Sequence, residues 1–194
     1  MNAGLGEARD SIDIKDVHAL ARAARDVQES RLHHLRWPRG IRNNNPGNIE
    51  RDGTRWQGMA ARQTDSRFIV FSEAKWGIRA IARILITYQD RRRAPDGSRI
   101  DSVRKFISRW APPVENNTDA YARAVANALG VGVDDPDIDV YDFDTMFGLV
   151  AAIIRYENGS PRNHLNGVWY QDNEIEQGLL LAGITRGVRH GAVA

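Results

Sequence analysis

Cysteine is missing from all 194 residues, which excludes disulfides, thiolate zinc sites and cysteine nucleophiles together. Lysine is nearly missing as well: Lys15, Lys75 and Lys105 are three of 27 basic residues, and the other 24 are arginines, set against 25 acidic residues for a net charge of +2. The planar guanidinium favours bidentate recognition of anions over diffuse attraction. Beyond Arg91-Arg92-Arg93 there is no basic run, and acids are interspersed throughout, so the pattern does not read as a nucleic-acid arm. No apolar stretch approaches the roughly 20 residues of a membrane span. Residues 1–16 carry charges where a signal peptide would need an apolar core, so neither membrane insertion nor a signal peptide is expected. A Gly-rich phosphate loop and a Gly-x-Ser-x-Gly elbow are both lacking, which disfavours nucleotide-dependent enzymes and ordinary esterases. His33 and His34 are adjacent and would point to different helix faces. The acidic stretch holding Asp134, Asp135, Asp137 and Asp139 lacks the glycine and closing glutamate of a helix-loop-helix calcium site. No metal and no cofactor is therefore expected.

What is present centres on Arg39-Gly40-Ile41-Arg42-Asn43-Asn44-Asn45-Pro46-Gly47-Asn48-Ile49. Three successive asparagines before Pro-Gly suit neither helix nor buried strand, and they predict a stiff polar loop. A type II turn with Gly47 at positive φ is the simplest form. Asn43, Asn44, Asn45 and Asn48 carry both donors and acceptors and are candidates for binding substrate amide or hydroxyl groups.

The hydrophobic fraction of 42% supports one well-buried core. Residues 1–36 read as an N-terminal extension carrying an accessory helix, with Ile14, Val17, Ala21, Ala24, Gln28, Leu32 and Leu35 near helical spacing. Residues 37–194 read as the main domain. Asp52-Gly53 predicts a hairpin between 48–51 and 54–57, and Arg67 to Phe71 is the strongest strand, giving a small β lobe over 48–72. Helices are expected from Gly77 through Ile86, from Ile100 to Trp110 before Pro112-Pro113, from an N-cap at Thr118 to Leu129, from Phe143 to about Tyr156, and within 173–183. The fold class is mainly α with a small β-hairpin lobe.

Two carboxylates stand out. Glu157 ends a helix just before Asn158-Gly159, where the negative end of the helix dipole and partial desolvation favour its protonated form, as a general acid requires. Glu115 follows two prolines and precedes a helix N-terminus, which favours the ionised form. Two carboxylates pushed in opposite directions suit glycoside cleavage. Asp65, Glu50 and Glu73 are alternatives for the second, and Glu29 is a further acidic candidate. Trp37, Trp56, Trp76, Trp110, Tyr121 and Tyr156 offer flat faces for sugar stacking, with Trp56 and Trp110 the first choices.

Arg39 to Asn48, Trp56-Gln57-Gly58, Asp65 with Phe68 and Phe71, Gly77-Ile78-Arg79-Ala80, Trp110-Ala111-Pro112-Pro113 with Glu115-Asn116, and Glu157-Asn158-Gly159 together resemble a family of phage and prophage proteins. Members are often described as virion structural proteins and are related to the lytic enzyme of an enveloped double-stranded RNA phage. The resemblance spans about residues 37–183. It implies a lysozyme-like, lytic-transglycosylase-like fold and degradation of peptidoglycan during entry or exit. The catalytic residues would be Glu157, Glu115 and Asp65, with Asn43, Asn44, Asn45, Asn48, Trp56, Trp110, Tyr121 and Asn116 binding substrate. Peptidoglycan and other virion proteins would be its partners, and it would act in the virion or be delivered to the bacterial periplasm. The bond cut stays open at this point: the glycan strand is the leading reading, and the stem peptide or a non-catalytic wall-binding role are the alternatives. Two features depart from the pattern. No Glu-Ser motif with a following Gly-rich loop ends the first core helix, and Ser160-Pro161-Arg162-Asn163 begins an inserted stretch reaching Tyr170.

Overall fold

A computed structural model describes residues 19, 20, 22–25, 28, 36–112, 117–161 and 164–187. The chain divides into two units, Met1–Trp37 and Pro38–Ala194. In the first, residues 19, 20, 22–25 and 28 are helical and exposed. Glu29 lies outside the described residues.

The second unit is mainly helical. It contains a single-turn α1 (Arg39–Arg42), α2 (Ala74–Arg91), α3 (Val103–Trp110), α4 (Thr118–Leu129), α5 (Phe143–Asn158), a 3₁₀ turn (Leu165–Gly167) and α6 (Asp172–Ala182). α2 is the longest and buries Ile78, Ile81, Leu85 and Ile86 together with Gly77, Ala80 and Ala82. An apolar surface that wide needs partners on more than one side. α6 lies along it, and α5 and α3 also pack against it. α4 bridges α3 and α5.

The helix ends follow local chemistry. Asp142 caps α5 by accepting from the Thr145 amide at 2.8 Å, and Gly130 and Gly183 close α4 and α6 in the left-handed region. One cap differs from expectation by a residue. Asn117, not Thr118, caps α4, its Oδ1 accepting from the Ala120 amide at 3.2 Å, because the Thr118 hydroxyl instead donates to the Ala111 carbonyl at 2.6 Å. Thr118 thereby satisfies a carbonyl left open where α3 stops.

The non-helical lobe over 48–72 is present, but its pairing is not the predicted hairpin. The amide of Arg51 donates to the Arg67 carbonyl at 2.9 Å and that of Ile69 to the Ile49 carbonyl at 3.0 Å, so 49–51 pairs with 67–69 and not with 54–57. Asp52 folds the intervening chain back by accepting from the Thr54 amide at 2.9 Å, a local turn that leaves no ladder across Asp52-Gly53. Among the described residues the contacts are isolated antiparallel bridges, Glu50 with Phe68 and Met59 with Phe71. Packing holds the lobe: Ile69 and Phe71 bury themselves against Ala80 of α2, with Ile49, Trp56, Met59 and Trp76 around them.

The asparagine loop joins the lobe to the helices. Asn45 is fully buried, its Nδ2 donating to the carbonyls of Ile49 and Ile69 at 2.9 Å each and its Oδ1 accepting from the Ile49 amide at 2.9 Å. Asn44 Nδ2 donates to the Phe71 carbonyl at 3.1 Å, and the Phe71 amide donates to the Asn43 carbonyl at 2.9 Å. The turn through Pro46-Gly47 closes from the Asn48 amide to the Asn45 carbonyl at 2.9 Å, but it is not type II. Positive φ falls on Asn44 (51°) and Asn48 (48°), while Gly47 is required for closeness, since a Cβ there would stand 2.8 Å from Ile81 Cγ1 and 3.1 Å from the Trp110 ring. Asn43, Asn44 and Asn45 therefore spend their amides inside the protein, which corrects the expectation that they face a ligand. Replacing Asn45 by alanine leaves the Ile69 carbonyl and the Ile49 amide without a partner and takes one of two donors from the Ile49 carbonyl. Urea denaturation should show a loss of about 3 kcal/mol or more.

Candidate functional site

Glu157 sits on the last turn of α5, half-buried, where three elements converge on its carboxylate. Asn48 Nδ2 donates to Oε2 at 3.2 Å. Trp110 Nε1, from the end of α3, donates to Oε1 at 3.1 Å, and the Tyr121 hydroxyl, from the first turn of α4, donates to the same oxygen at 3.2 Å. Among the described residues no cation is paired with Glu157. Burial first, and the neighbouring Glu157 charge second, push the Tyr121 hydroxyl far above its ordinary titration range, so it remains a donor at any working pH. Tyr156, 43% exposed, stacks on Tyr121 with ring centroids 3.6 Å apart. Trp110 and Tyr121, expected as sugar-stacking faces, thus serve as hydrogen-bond donors to the acid, and Tyr156 is left with an exposed aromatic surface.

The arrangement depends on Asn158, a residue the sequence reading passed over. Its Nδ2 donates to the Pro46 carbonyl at 2.7 Å and to the Ile154 carbonyl at 2.9 Å, tying the end of α5 to the asparagine loop that carries Asn48. Gly40 faces this clasp, and a Cβ there would stand 2.6 Å from Asn158 Oδ1 and 2.7 Å from Asn48 Oδ1. The signal available in the sequence was the pairing of Asn158 after Glu157 with Gly40 before the loop.

Asp65 is a different kind of carboxylate. It receives Arg39 Nε and Nη2 at 2.6 Å each, Asn43 Nδ2 at 2.8 Å, and the amides of Arg67 and Phe68 at 2.9 Å each. The Arg39 guanidinium is the largest influence holding its carboxyl well below the usual carboxylate range. A carboxylate saturated by five donors has no lone pair free for proton transfer, so Asp65 fastens α1 to the lobe and is not a catalytic acid. Glu50 and Glu73 are likewise committed, to Arg67 at 2.5 Å and to Lys75 at 2.8 Å. Glu115 and Asn116 lie outside the described residues.

A cleft of about 1290 Å³ runs between the lobe and the helices, lined by Ile49 and Trp56 on one side and by Ile84, Tyr88, Arg109 and Pro112 on the other. Glu157 is not on its lining. Its donors Asn48 and Trp110 adjoin the lining residues Ile49 and Arg109 in sequence. Trp56, expected to face a cleft, does so, and its Nε1 is buried with no partner. Among the described residues no three His, Asp or Glu side chains converge as a metal ion would need.

No family model matches the chain. Over 144 residues it is 38% identical to Protein P5 of Pseudoalteromonas phage PM2, an alignment covering 73% of this chain and 79% of that protein. The chain belongs to the family of phage PM2 Protein P5. In this P5-family chain, the described residues include no helix long and apolar enough to cross a membrane.

The Asp65 clamp has a pH signature. Its folded pKa is depressed, so the stabilisation it supplies is complete above the unfolded value of 3.8 and is lost as pH falls below that. Denaturation midpoints of the wild type should therefore hold between about pH 6 and pH 4 and drop steeply as pH falls below about 4. Asp65→Asn should start lower at pH 6 and fall less. Parallel slopes for the two proteins would contradict the assignment.

Proposed function

We propose that this P5-family protein is a lysozyme-like enzyme that cleaves the glycan strand of peptidoglycan, with Glu157 as its acid/base. The observation that carries the reading is the setting of Glu157: a single half-buried carboxylate oriented by Asn48, Trp110 and Tyr121 and paired with no cation among the described residues. An acid/base must change protonation during turnover. Neutral donors permit that change, whereas a guanidinium such as the one on Asp65 would oppose it.

The chemistry needs only this one group. Glu157 gives its proton to the glycosidic oxygen as the C1–O bond breaks, and the resulting carboxylate takes a proton from the sugar's own 6-hydroxyl as that oxygen bonds to C1. Bonds and protons balance without water, and the product carries an internal ether in place of a reducing end. A muramidase route would instead use water and a second carboxylate. The described residues around Glu157 provide none, and Glu115 is the candidate that sequence supplies. Virion association or delivery to the periplasm follows from this reading, since peptidoglycan lies outside the cytoplasm.

Purified Glu157→Gln should keep its thermal midpoint and lose at least about a hundredfold in the rate of clearing sacculi. Glu115→Gln should retain partial activity by the one-carboxylate route. Full activity in Glu157→Gln would overturn the proposal.

A further inference from the structure

The cleft carries more than apolar residues. Its lining also includes Tyr88, Arg92, Arg93, Pro95 and Arg109. Arg92, Arg93 and Arg109 are exposed, and among the described residues none of the three is paired with a carboxylate. The other cations of the lining are committed: Arg104 to Asp119 and Asp134, and Lys105 to Asp101. The backbone of Arg93 pairs with that of Arg99 across a tight turn in which Asp96 Oδ1 accepts from the Ser98 amide at 2.9 Å and its hydroxyl at 2.6 Å, and the Arg109 guanidinium lies 5.9 Å from the Tyr88 ring.

We infer that these arginines of the cleft form a subsite for carboxylates carried on peptide branches of the glycan, so that the protein selects peptide-bearing strands over bare ones. This rests on the glycan-cleaving reading of Glu157. Guanidinium forks match carboxylates bidentately. The apolar residues Ile49, Trp56, Ile84 and Ile100 of the same lining suit a largely neutral chain with occasional charges. A nucleic acid fits less well, because Glu50, Asp52, Asp96 and Asp134 also line the cleft and would repel a polymer charged at every unit.

The test is binding, measured on full-length Glu157→Gln with fluorescently labelled soluble glycans from one sacculus preparation, either bearing their peptides or stripped of them by an amidase. In about 50 mM NaCl the peptide-bearing strands should bind about tenfold more tightly, and in about 300 mM NaCl that preference should shrink. Adding Arg92→Gln, Arg93→Gln and Arg109→Gln, all at exposed positions, should reduce it to about twofold or less. Equal affinity for both strands, a preference that survives the triple substitution, or tighter binding to single-stranded DNA of similar length would overturn the inference. Failure of the catalytic reading is distinguishable. If wild type released no sugar products while the free peptides still bound and lost binding in the triple variant, the subsite would stand and Glu157 would lose its role.

Discussion

The clasp between Asn158 and the Pro46 carbonyl is the contact on which the site is built. α5 supplies Glu157, and the asparagine loop supplies Asn48, but the two are 109 residues apart in sequence. A buried amide bridging helix end and turn fixes their separation to within a hydrogen bond. The loop is braced, because Asn45 is itself held by three hydrogen bonds and Gly47 lets it press against Ile81 and Trp110. Trp110 is thereby positioned as well. Rigid support of this kind is what keeps a reactive group in a productive geometry.

Two carboxylates illustrate how the same functional group is put to opposite uses. Asp65 has five donors, two of them from a guanidinium, so its charge persists well below the usual carboxylate range and its contribution is mechanical. Glu157 has three neutral donors, one of them a tyrosine that burial keeps protonated. Binding energy in the first case goes into joining α1 to the lobe, and in the second into orienting a carboxylate with neutral donors.

Local periodicity made the helices readable. α2 and α5 announced themselves by apolar spacing, and Gly130, Gly183 and the Pro112 stop marked ends. The lobe was legible as a region but not in its pairing, because Asp52-Gly53 has two uses, a hairpin turn or an Asx turn, and only the packing of Ile69 and Phe71 on Ala80 selects between them. Glu157 could be singled out from its place before Asn158-Gly159. Its partners could not be sorted, since nothing local says that Asn45 is a buried brace while Asn48, three residues on, reaches the acid. The same limit applied to Asp65, whose five donors come from residues 39, 43, 67 and 68 and converge only in three dimensions. Arg92, Arg93 and Arg109 read as ordinary surface charge until the cleft brought them together.

The most direct test of the central claim, that Glu157 acts on the glycan strand, is mass spectrometry of the soluble products that the wild-type protein releases from purified sacculi. The account predicts fragments cut between sugars, with 1,6-anhydro ends from the one-carboxylate route. Release of free peptides from glycan strands that remain intact would contradict it.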